Sequence, residues 1–540
     1  MPALVRVPLF VLLIGMAGLA MLIPAAYAHV TGWRAIAGNF LFSAVLLIVL
    51  AALLGVASQG RHAPGPKDHM ALATMLGVFG VMPAALGLPL ALSLPDTGLF
   101  NAWWEMVSCL TTTGATLYAA EMLAPPLHLW RGLVGWLGGL FVLVTAIAVM
   151  APMRVGGFEI LATPAGQNER FQALPDSDGR YRAAAPVSAT SERGVPGLRA
   201  LRALYAVAPW YAGLTLVLWV ILLLAGDPGL IALMRAMGTV STSGISPVTG
   251  AIGVHSGATG EIAVFAFMML ALSRRFWPGG GELRASDRLS RDPELRLGLG
   301  VVLLVAVVLF ARHFLVTIEA AADGDLAGGA AAATGRALVA AWGGLFNALS
   351  FLTTTGWNSV DWQGAQRWSG LQSPGLLLAG LAIMGGGVAT TAGGVKLLRV
   401  YALATQTRRE LERVIHPSSV GGGGTMARRL RREGAYLAFI FFMLFALSIA
   451  MTVLLVSIHA IEFDTAVVLS VSALTNTGQL AGTIPLTPSF ESSAGIASNP
   501  WEGWSGLATL PKSVLAGAMI VGRLETLAIL ALLTPEFWRR

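Results

Sequence analysis

The sequence predicts an all-α polytopic membrane protein in which four pseudo-repeats follow two N-terminal helices. Three observations support this fold class. Hydrophobic residues make up 55% of the 540 residues and charged residues only 12%, about half the charged share of an ordinary soluble domain. Several apolar runs approach or exceed the ~20 residues that span a bilayer as a helix. A short polar motif also recurs four times along the chain.

Each copy of this motif is a run of small hydroxyl or amide residues that ends in glycine. The copies read TTTGA, STSGI, TTTGW and TNTGQ. Their glycines are Gly114, Gly244, Gly356 and Gly478, so the intervals are 130, 112 and 122 residues. A motif that recurs at near-constant spacing indicates structural repeats. We interpret each pseudo-repeat as a helix, a pore helix, a filter loop and a second helix, arranged around one central pore.

The two N-terminal helices are predicted near residues 6–28 and 34–57. The first ends in Ala26-Tyr27-Ala28, which resembles a signal-peptidase site. Its apolar stretch is longer than a usual signal-peptide core, and Arg6 is its only nearby basic residue. These features favour a retained helix over a cleaved signal peptide.

Each pseudo-repeat supplies an outer helix, a short helix and an inner helix. The outer helices are predicted near 70–94, 203–225, 295–318 and 434–458, the short helices near 99–110, 229–240, 338–352 and 464–474, and the inner helices near 132–152, 259–277, 374–401 and 506–534. The domains are then the N-terminal helices (1–60), pore repeat 1 (61–156), a cytoplasmic linker (157–199), pore repeat 2 (200–290), pore repeat 3 (291–403), a second cytoplasmic linker (404–433) and pore repeat 4 (434–540).

The short helices cannot cross a membrane, so the loops that follow them must lie within it. Irregular backbone at that depth is stable only when it is buried in protein or lines a watery cavity. Four such loops around one axis can direct backbone carbonyls at a dehydrated cation, and the helix C-termini add their negative dipole ends. The alternative is that these small residues are helix-packing surfaces. The presence of four copies at matching positions argues against that alternative. The candidate ion-binding residues are Thr112, Thr113, Gly114, Thr242, Ser243, Gly244, Thr354, Thr355, Gly356, Asn476, Thr477 and Gly478.

A glycine-rich segment interrupts the inner helix of the third pseudo-repeat. Five glycines and two threonines between Met384 and Lys396 weaken a helix, since each glycine costs about 1 kcal/mol relative to alanine. We expect a broken helix and an irregular intramembrane loop (385–394) that crosses the pore below the filter, with a tight packing kink as the alternative. The candidate gating residues are Gly385, Gly386, Gly387, Thr390, Thr391, Gly393, Gly394, Lys396 and Arg523.

Three basic side chains lie near this segment in the predicted membrane layout. Lys396 and Arg399 are expected near the cytoplasmic end, where long side chains can snorkel to the interface. Arg523 falls inside an apolar helix, where a cation is costly and is expected to face the pore or to be paired. Glu525 and the glycine-rich loop are its candidate partners, and a purely structural salt bridge is the alternative.

The net charge of +7 does not indicate a nucleic-acid partner, because most Lys and Arg residues fall on one predicted face of the membrane. This asymmetry predicts that both termini are cytoplasmic, and the basic face can attract anionic lipid or an acidic partner.

The single cysteine, Cys109, excludes an intrachain disulfide framework and a cysteine metal cluster. The eight histidines show no helical ligand spacing, and the sequence around Gly244 lacks the second glycine of a nucleophile elbow. We therefore do not expect this protein to be an enzyme.

These motifs resemble those of the Trk/Ktr/HKT superfamily of potassium transporters, most closely its bacterial TrkH-type subunits. The four filter loops carry the resemblance, together with GGGVATTAGGVKLLR, VIHPSSV and GRLETLAILALLTPEFW. The two leading helices favour the TrkH type over the shorter KtrB type. The end of the second inner helix, MLALSRRFWPGGGE, departs from the Gly-Gly expected there and leaves the local shape of the second repeat open.

The resemblance implies potassium uptake through the bacterial inner membrane by a homodimer. Potassium would bind at Thr112, Thr113, Thr242, Ser243, Thr354, Thr355, Asn476 and Thr477. Glycine in all four loops points to potassium, and a sodium-permeating or sodium-coupled relative is the alternative. The glycine-rich loop would gate, with Arg523 beneath the filter. A cytoplasmic TrkA-type ring would bring nucleotide control, because this chain shows no P-loop or dinucleotide fingerprint and no organic cofactor is implied.

Overall fold

The structure is a computed structural model of the whole chain. It describes residues 9–58, 68–153, 156–160, 196–278, 289, 292–322, 329–369, 375–416, 432–459, 461–484 and 503–525. Among these residues it contains helices and irregular segments and no strand, and eight helices are long and apolar enough to cross a membrane. The predicted fold class, an all-α polytopic membrane protein, is confirmed.

The N-terminal helices form a hairpin that packs on the first of the four helical units. The hairpin consists of Leu9–Ala20, Leu22–Val30 and Arg34–Ala57. Phe40 is fully buried and meets Trp130 edge-on, with the two ring centroids 5.8 Å apart. The indole nitrogen of Trp130 donates a hydrogen bond to the Leu86 carbonyl at 3.0 Å. The hydrogen bond orients Trp130 within unit 1, and the contact between the two rings packs the hairpin against that unit.

Four units follow, each with an outer helix, a short helix and an inner helix. Unit 1 comprises Asp68–Gly80 with Met82–Ser93, then Gly98–Leu110, then Pro125–Thr145 with its continuations Ala146–Met150 and Ala151–Met153. Unit 2 comprises Pro196–Leu224, Gly229–Val240 and Gly253–Met268 with Met269–Leu272. Unit 3 comprises Pro293–Ala322, Gly329–Leu352, and Gly375–Met384 with Leu397–Ile415. Unit 4 comprises Arg432–Ser457, Phe463–Leu474 and Thr509–Leu524.

Proline and glycine set several of these boundaries. The outer helix of unit 1 breaks at Val81 because Pro83 follows, and proline lacks an N–H and clashes with the preceding turn. Proline begins the first inner helix at Pro125, where its missing donor costs nothing. The inner helix of unit 3 ends at Met384, since Gly385 takes φ +71°, which glycine adopts without steric cost.

The layers of the fold follow from burial. The short helices are interior: Trp104, Phe351 and Leu469, one from each of three of them, are fully buried. The outer helices instead expose leucines such as Leu303 and Leu447 on their far faces. Exposed apolar side chains of this kind are expected on a surface solvated by lipid.

Several predicted boundaries differ from the structure. The first inner helix begins at Pro125 instead of residue 132, and the third short helix begins at Gly329 instead of 338. The helix Trp362–Ser369 lies in a segment for which we predicted no helix. The predicted cytoplasmic linker at 404–433 opens as helix, because Leu397–Ile415 continues into it. Most of the linker at 157–199, the run of four glycines at 421–424 and the chain beyond Glu525 lie outside the described residues.

Candidate functional site

The four motif loops share one backbone turn. The second motif residue of each loop has positive φ, between +53° and +56°, at Thr112, Thr242, Thr354 and Asn476. Left-handed backbone at a non-glycine residue costs about 1–3 kcal/mol and persists only where the surroundings impose it. Because the left-handed conformation occurs at the matching residue of all four loops, the surrounding fold must impose it in each of them.

The hydrogen bonds of these turns also match. In each loop the N–H of the third motif residue donates to the carbonyl five residues earlier at 2.9 Å, in the pairs Thr113–Ser108, Ser243–Gly238, Thr355–Ser350 and Thr477–Ser472. The hydroxyls of the first and third motif residues contact each other at 2.8–3.2 Å. Each turn thus closes the C-terminus of its short helix in the same way.

The loops contact one another in chain order and close into a ring. A Cβ atom added to Gly114 would collide with the Ser243 carbonyl, and one added to Gly244 would collide with the Thr355 carbonyl. A Cβ on Gly356 would meet the side chain of Gln479 in the fourth loop.

The last contact returns from the fourth loop to the first. A Cβ on Gly478 would collide with Ala115. Glycine is therefore required at each of the four positions by the close approach of the next loop.

Carbonyl oxygens from different loops converge at one point of this ring. The side-chain nitrogen Nε2 of Gln479 lies 3.0 Å from the Ser243 oxygen and 2.8 Å from the Gly244 oxygen. The Gly114 oxygen of the first loop is 3.5 Å from the same nitrogen. A concentration of carbonyl dipoles is chemistry suited to a monovalent cation stripped of water.

The fourth loop departs from the other three. Gly114, Gly244 and Gly356 have positive φ, and Gly478 does not. The first three donate their N–H groups to their own short helices at 3.3 Å, whereas Gly478 donates to the Thr113 carbonyl at 2.7 Å. The Asn476 amide also bonds the Thr113 hydroxyl at 3.0 Å. The ring is therefore locked at the junction of its last and first loops.

The glycine-rich segment lies directly against this ring. The N–H of Gly393 donates to the Thr354 hydroxyl at 2.7 Å, and the Thr391 hydroxyl donates to the Val240 carbonyl at 3.3 Å. The N–H of Gly387 bonds the Ala271 carbonyl at 2.9 Å. The backbone between Met384 and Leu397 is non-helical, so the segment is a loop and not a packing kink.

Close backbone packing explains two further glycines of this loop. A Cβ on Gly386 would lie 2.6 Å from the Ala271 oxygen, and a Cβ on Gly394 would lie 2.6 Å from the Ala382 oxygen. Thr390 closes a turn onto the Gly387 carbonyl at 2.7 Å. Ala271 belongs to the end of the second inner helix, where the sequence departs from the superfamily pattern, and its carbonyl here receives the glycine-rich loop.

Two sequence expectations about the charges below the ring are wrong. Glu525 does not pair with Arg523; its carboxylate bonds Arg399 at 2.7 Å. Lys396 and Arg399 do not snorkel to an interface, since both are buried. Lys396 bonds the Ala392 carbonyl, and Arg399 lies 3.6 Å from the Phe441 ring centroid. Local partners inside the protein compensate these two cations better than a reach to the interface would.

Arg523 is a buried cation at the edge of a small cavity. Its Nε and Nη2 atoms have no hydrogen-bond partner among the described residues. The cavity measures about 20 Å³ and is lined by Arg523, Lys396, Met150 and backbone of the glycine-rich loop. That volume holds about one water molecule.

Buried ion pairs behind the loops were missed by the sequence reasoning. Glu105 bonds Arg131 at 2.7 Å and also accepts the N–H of Leu117, two residues beyond the first motif. Asp227 bonds Arg235 at 2.7 Å in unit 2. The signal available was a charged residue within an apolar segment, which is stable when buried only if it is paired.

A third carboxylate, Glu261, braces the loop that follows the third motif. It accepts the Ser359 hydroxyl at 2.9 Å and the Val360 N–H at 2.8 Å. Among the described residues no group of three or more His, Cys, Asp or Glu side chains could hold a metal ion.

Comparison with known proteins agrees with this architecture. A family model described as "TrkH: Cation transport protein" matches residues 282–539. The potassium uptake protein TrkI of Halomonas elongata is 29% identical, over 84% of this chain and 80% of its own. TrkH of Escherichia coli K12 is 26% identical, over 86% and 84% of the two chains. The crystal structure of the potassium transporter TrkH from Vibrio parahaemolyticus superposes with a TM-score of 0.73 at 22% identity, covering 99% of both chains.

The apolar helices and the loop ring define a multi-pass α-helical membrane protein with four polar loops packed in its interior. The family model matches the C-terminal part of the chain, and the curated relatives and the solved structure cover most of it. Over residues 282–539 the chain matches the family model of TrkH cation transport proteins, and it is similar to Trk system potassium uptake proteins over most of its length.

Proposed function

We propose that the protein takes up potassium across the cytoplasmic membrane through the ring formed by its four motif loops. The observation that carries the proposal is the closed ring of four matching turns, two of which place three carbonyl oxygens within 3.5 Å of the Gln479 side-chain nitrogen. The relatives named as potassium uptake proteins support potassium as the substrate.

Selectivity would come from backbone oxygens around Thr112-Thr113-Gly114, Thr242-Ser243-Gly244, Thr354-Thr355-Gly356 and Asn476-Thr477-Gly478. These oxygens would replace the hydration shell of the ion. The four short helices end at the ring, at Leu110, Val240, Leu352 and Leu474. Their C-termini carry the negative ends of the helix dipoles, which favour a cation there without a fixed carboxylate.

Gating would reside in the glycine-rich loop and in Arg523. The loop contacts Thr354 of the ring, and it lines a cavity of about 20 Å³ together with Arg523. A positive side chain beneath a cation filter raises the electrostatic energy of an ion that passes it. Opening would require the loop to release its hydrogen bonds to Thr354 and Ala271, because both hold it across the path.

The partners follow from the family. We propose a homodimer in the inner membrane with both termini cytoplasmic, and a TrkA-type cytoplasmic ring that brings nucleotide control. The large apolar side chains exposed on the outer helices suit contact with lipid or with a second copy. The protein would act as a transporter and not as an enzyme, and it would need no organic cofactor.

The proposal is tested by uptake of radioactive rubidium into proteoliposomes, with potassium and sodium as competitors. Gly356 has φ +78° and a Cβ there would lie 2.6 Å from Gln479 Oε1. We expect Gly356→Ser to reduce uptake or potassium preference about tenfold or more, because backbone strain of about 1–3 kcal/mol falls on the ring. Gly380→Ser is the matched control, since a Cβ at Gly380 meets open space.

Uptake blocked by potassium, spared by sodium and lost in the Gly356 variant would support the proposal. Equal competition by sodium would favour the sodium-handling alternative. No uptake by the unaltered protein, with and without a TrkA-type ring, would refute it.

A further inference from the structure

Gln479 is the one polar residue among the four that immediately follow the motif glycines. The corresponding residues are Ala115, Ile245 and Trp357. The Trp357 indole points away from the ring and donates to the Thr239 hydroxyl at 3.0 Å. Only the fourth loop therefore places a flexible hydrogen-bonding side chain at the ring.

The amide of Gln479 lies where the carbonyl oxygens converge. Its Nε2 donates to the Gly244 oxygen at 2.8 Å and to the Ser243 oxygen at 3.0 Å. The Gly114 oxygen lies 3.5 Å away on the first loop, and a Cβ added to Gly356 on the third loop would lie 2.6 Å from Oε1. One side chain from the fourth loop thus reaches the other three loops.

The nitrogen and the oxygen of the Gln479 side-chain amide differ in their hydrogen bonding. The nitrogen has two close acceptors, and the oxygen Oε1 is buried without a hydrogen-bond partner among the described residues. A buried acceptor without a donor is costly. An amide oxygen is, however, the same kind of ligand as the backbone carbonyls of the ring.

The backbone of the fourth loop accounts for this placement. Gly478 lacks the positive φ of the other three motif glycines and bonds the Thr113 carbonyl at 2.7 Å. The next residue, Gln479, begins a short helix, Leu480–Thr483. Its own carbonyl accepts the Thr483 hydroxyl at 2.9 Å. The main chain of Gln479 is therefore fixed, and only its side chain is free to move.

We propose that Gln479 is a tethered competitor of the transported cation. Its amide nitrogen donates to the same carbonyl oxygens that a cation at this end of the ring must bind. A cation enters by displacing the nitrogen, and rotation of the amide then offers Oε1 as an additional ligand. This inference rests on the proposed function, because it assumes that the ring conducts cations.

The proposal sets the direction of a mutational effect. Gln479→Ala removes both donors, so the cation no longer competes with two hydrogen bonds, and we expect the half-saturating potassium concentration to fall about tenfold. Gln479→Glu keeps the side-chain length and cannot donate, and we expect a fall of at least that size. A residue that served only as a cation ligand would show the opposite sign in the alanine variant.

Two measurements on the full-length protein test the inference. Calorimetric titration with potassium chloride in detergent gives the affinity, and rubidium uptake at varied external potassium gives the half-saturating concentration. Gln363→Ala is the matched control, because Gln363 is an exposed glutamine on the helix Trp362–Ser369. Gel-filtration profiles and melting temperatures establish that each variant is folded.

The outcomes separate the two proposals. Tighter potassium binding in both Gln479 variants, with Gln363→Ala unchanged, supports the competitor role. Equal or weaker binding in Gln479→Ala, with potassium-selective uptake retained by the unaltered protein, overturns this inference and leaves the proposed function intact. If Gln479→Ala does not fold, Gln479→Leu, which likewise has neither the donor nor the acceptor, decides by the same criterion. An unaltered protein that neither binds nor transports potassium refutes the proposed function and this inference with it.

Discussion

The buried ion pair between Arg399 and Glu525 allows a quantitative test of how units 3 and 4 are held together. The two side chains are 0% and 6% exposed, and their charged atoms are 2.7 Å apart. Arg399 stands in the first turn of Leu397–Ile415, and Glu525 directly follows Thr509–Leu524. The pair therefore ties the region beneath the glycine-rich loop to the last inner helix.

We expect Glu525→Gln to cost about 3 kcal/mol of unfolding free energy. Loss of one partner of a buried pair costs about 3–5 kcal/mol, because the other charge stays buried and uncompensated. The lower end applies since glutamine keeps an acceptor for the guanidinium, and the Val395 carbonyl at 3.2 Å and the Phe441 ring remain. The same change at Glu412, which pairs with Arg408 at 3.1 Å in an exposed position, should cost no more than about 0.5 kcal/mol.

The assay is reversible unfolding in mixed micelles of dodecyl maltoside and sodium dodecyl sulfate, followed by tryptophan fluorescence. The double variant Arg399→Met with Glu525→Gln removes the orphaned charge, so it should recover at least about half of the loss seen for Glu525→Gln. Equal costs for Glu525→Gln and Glu412→Gln, or a double variant as unstable as the sum of its single changes, would refute the reasoning.

Two further stability predictions use matched pairs of substitutions. Gly138→Ala should lower the free energy of unfolding by about 1–3 kcal/mol, because its Cβ would strike the last carbonyl of the first short helix; Gly55→Ala, which meets open space, should instead raise it by up to about 1 kcal/mol. Thr354→Val should lower the free energy of unfolding by about 1–3 kcal/mol, because the Gly393 N–H loses its acceptor. Thr112→Val removes a hydroxyl that has no partner among the described residues, so it should lower the free energy of unfolding by less than about 0.5 kcal/mol. Unfolding in the same micelles measures both pairs, and equal effects within either pair would contradict the reasoning.

The sequence predicted those features that depend on composition and on local chemistry. Long apolar runs predicted the membrane helices, and the run of glycines after Met384 predicted an irregular segment, because helix propensity is a local property. The repeated motif identified the loops, because close packing requires glycine at the same position of each loop and this glycine can be recognised in the sequence.

The contacts between particular side chains could not be predicted from the sequence. The interpretation of Glu525 as a partner of Arg523 followed from their nearness in sequence, whereas its actual partner Arg399 is 126 residues away. The role of Gln479 depends on where a flexible side chain lies among three other loops, and periodicity carries no information about that. The helix Trp362–Ser369 was missed because its mean composition is polar and gives no apolar signal.

The junction between the last and first loops has a consequence for synthesis. The Asn476 amide bonds the Thr113 hydroxyl across 363 residues of chain. At translation rates of about 5–20 residues per second, the ribosome needs ~20–70 s to make that interval. Throughout this time the loop of unit 1 lacks the hydrogen bonds that Asn476 and Gly478 of the fourth loop supply. Nascent chains halted before residue 476 should therefore be recognised by membrane quality-control proteases, and assembly of the ring is a late event in the life of each molecule.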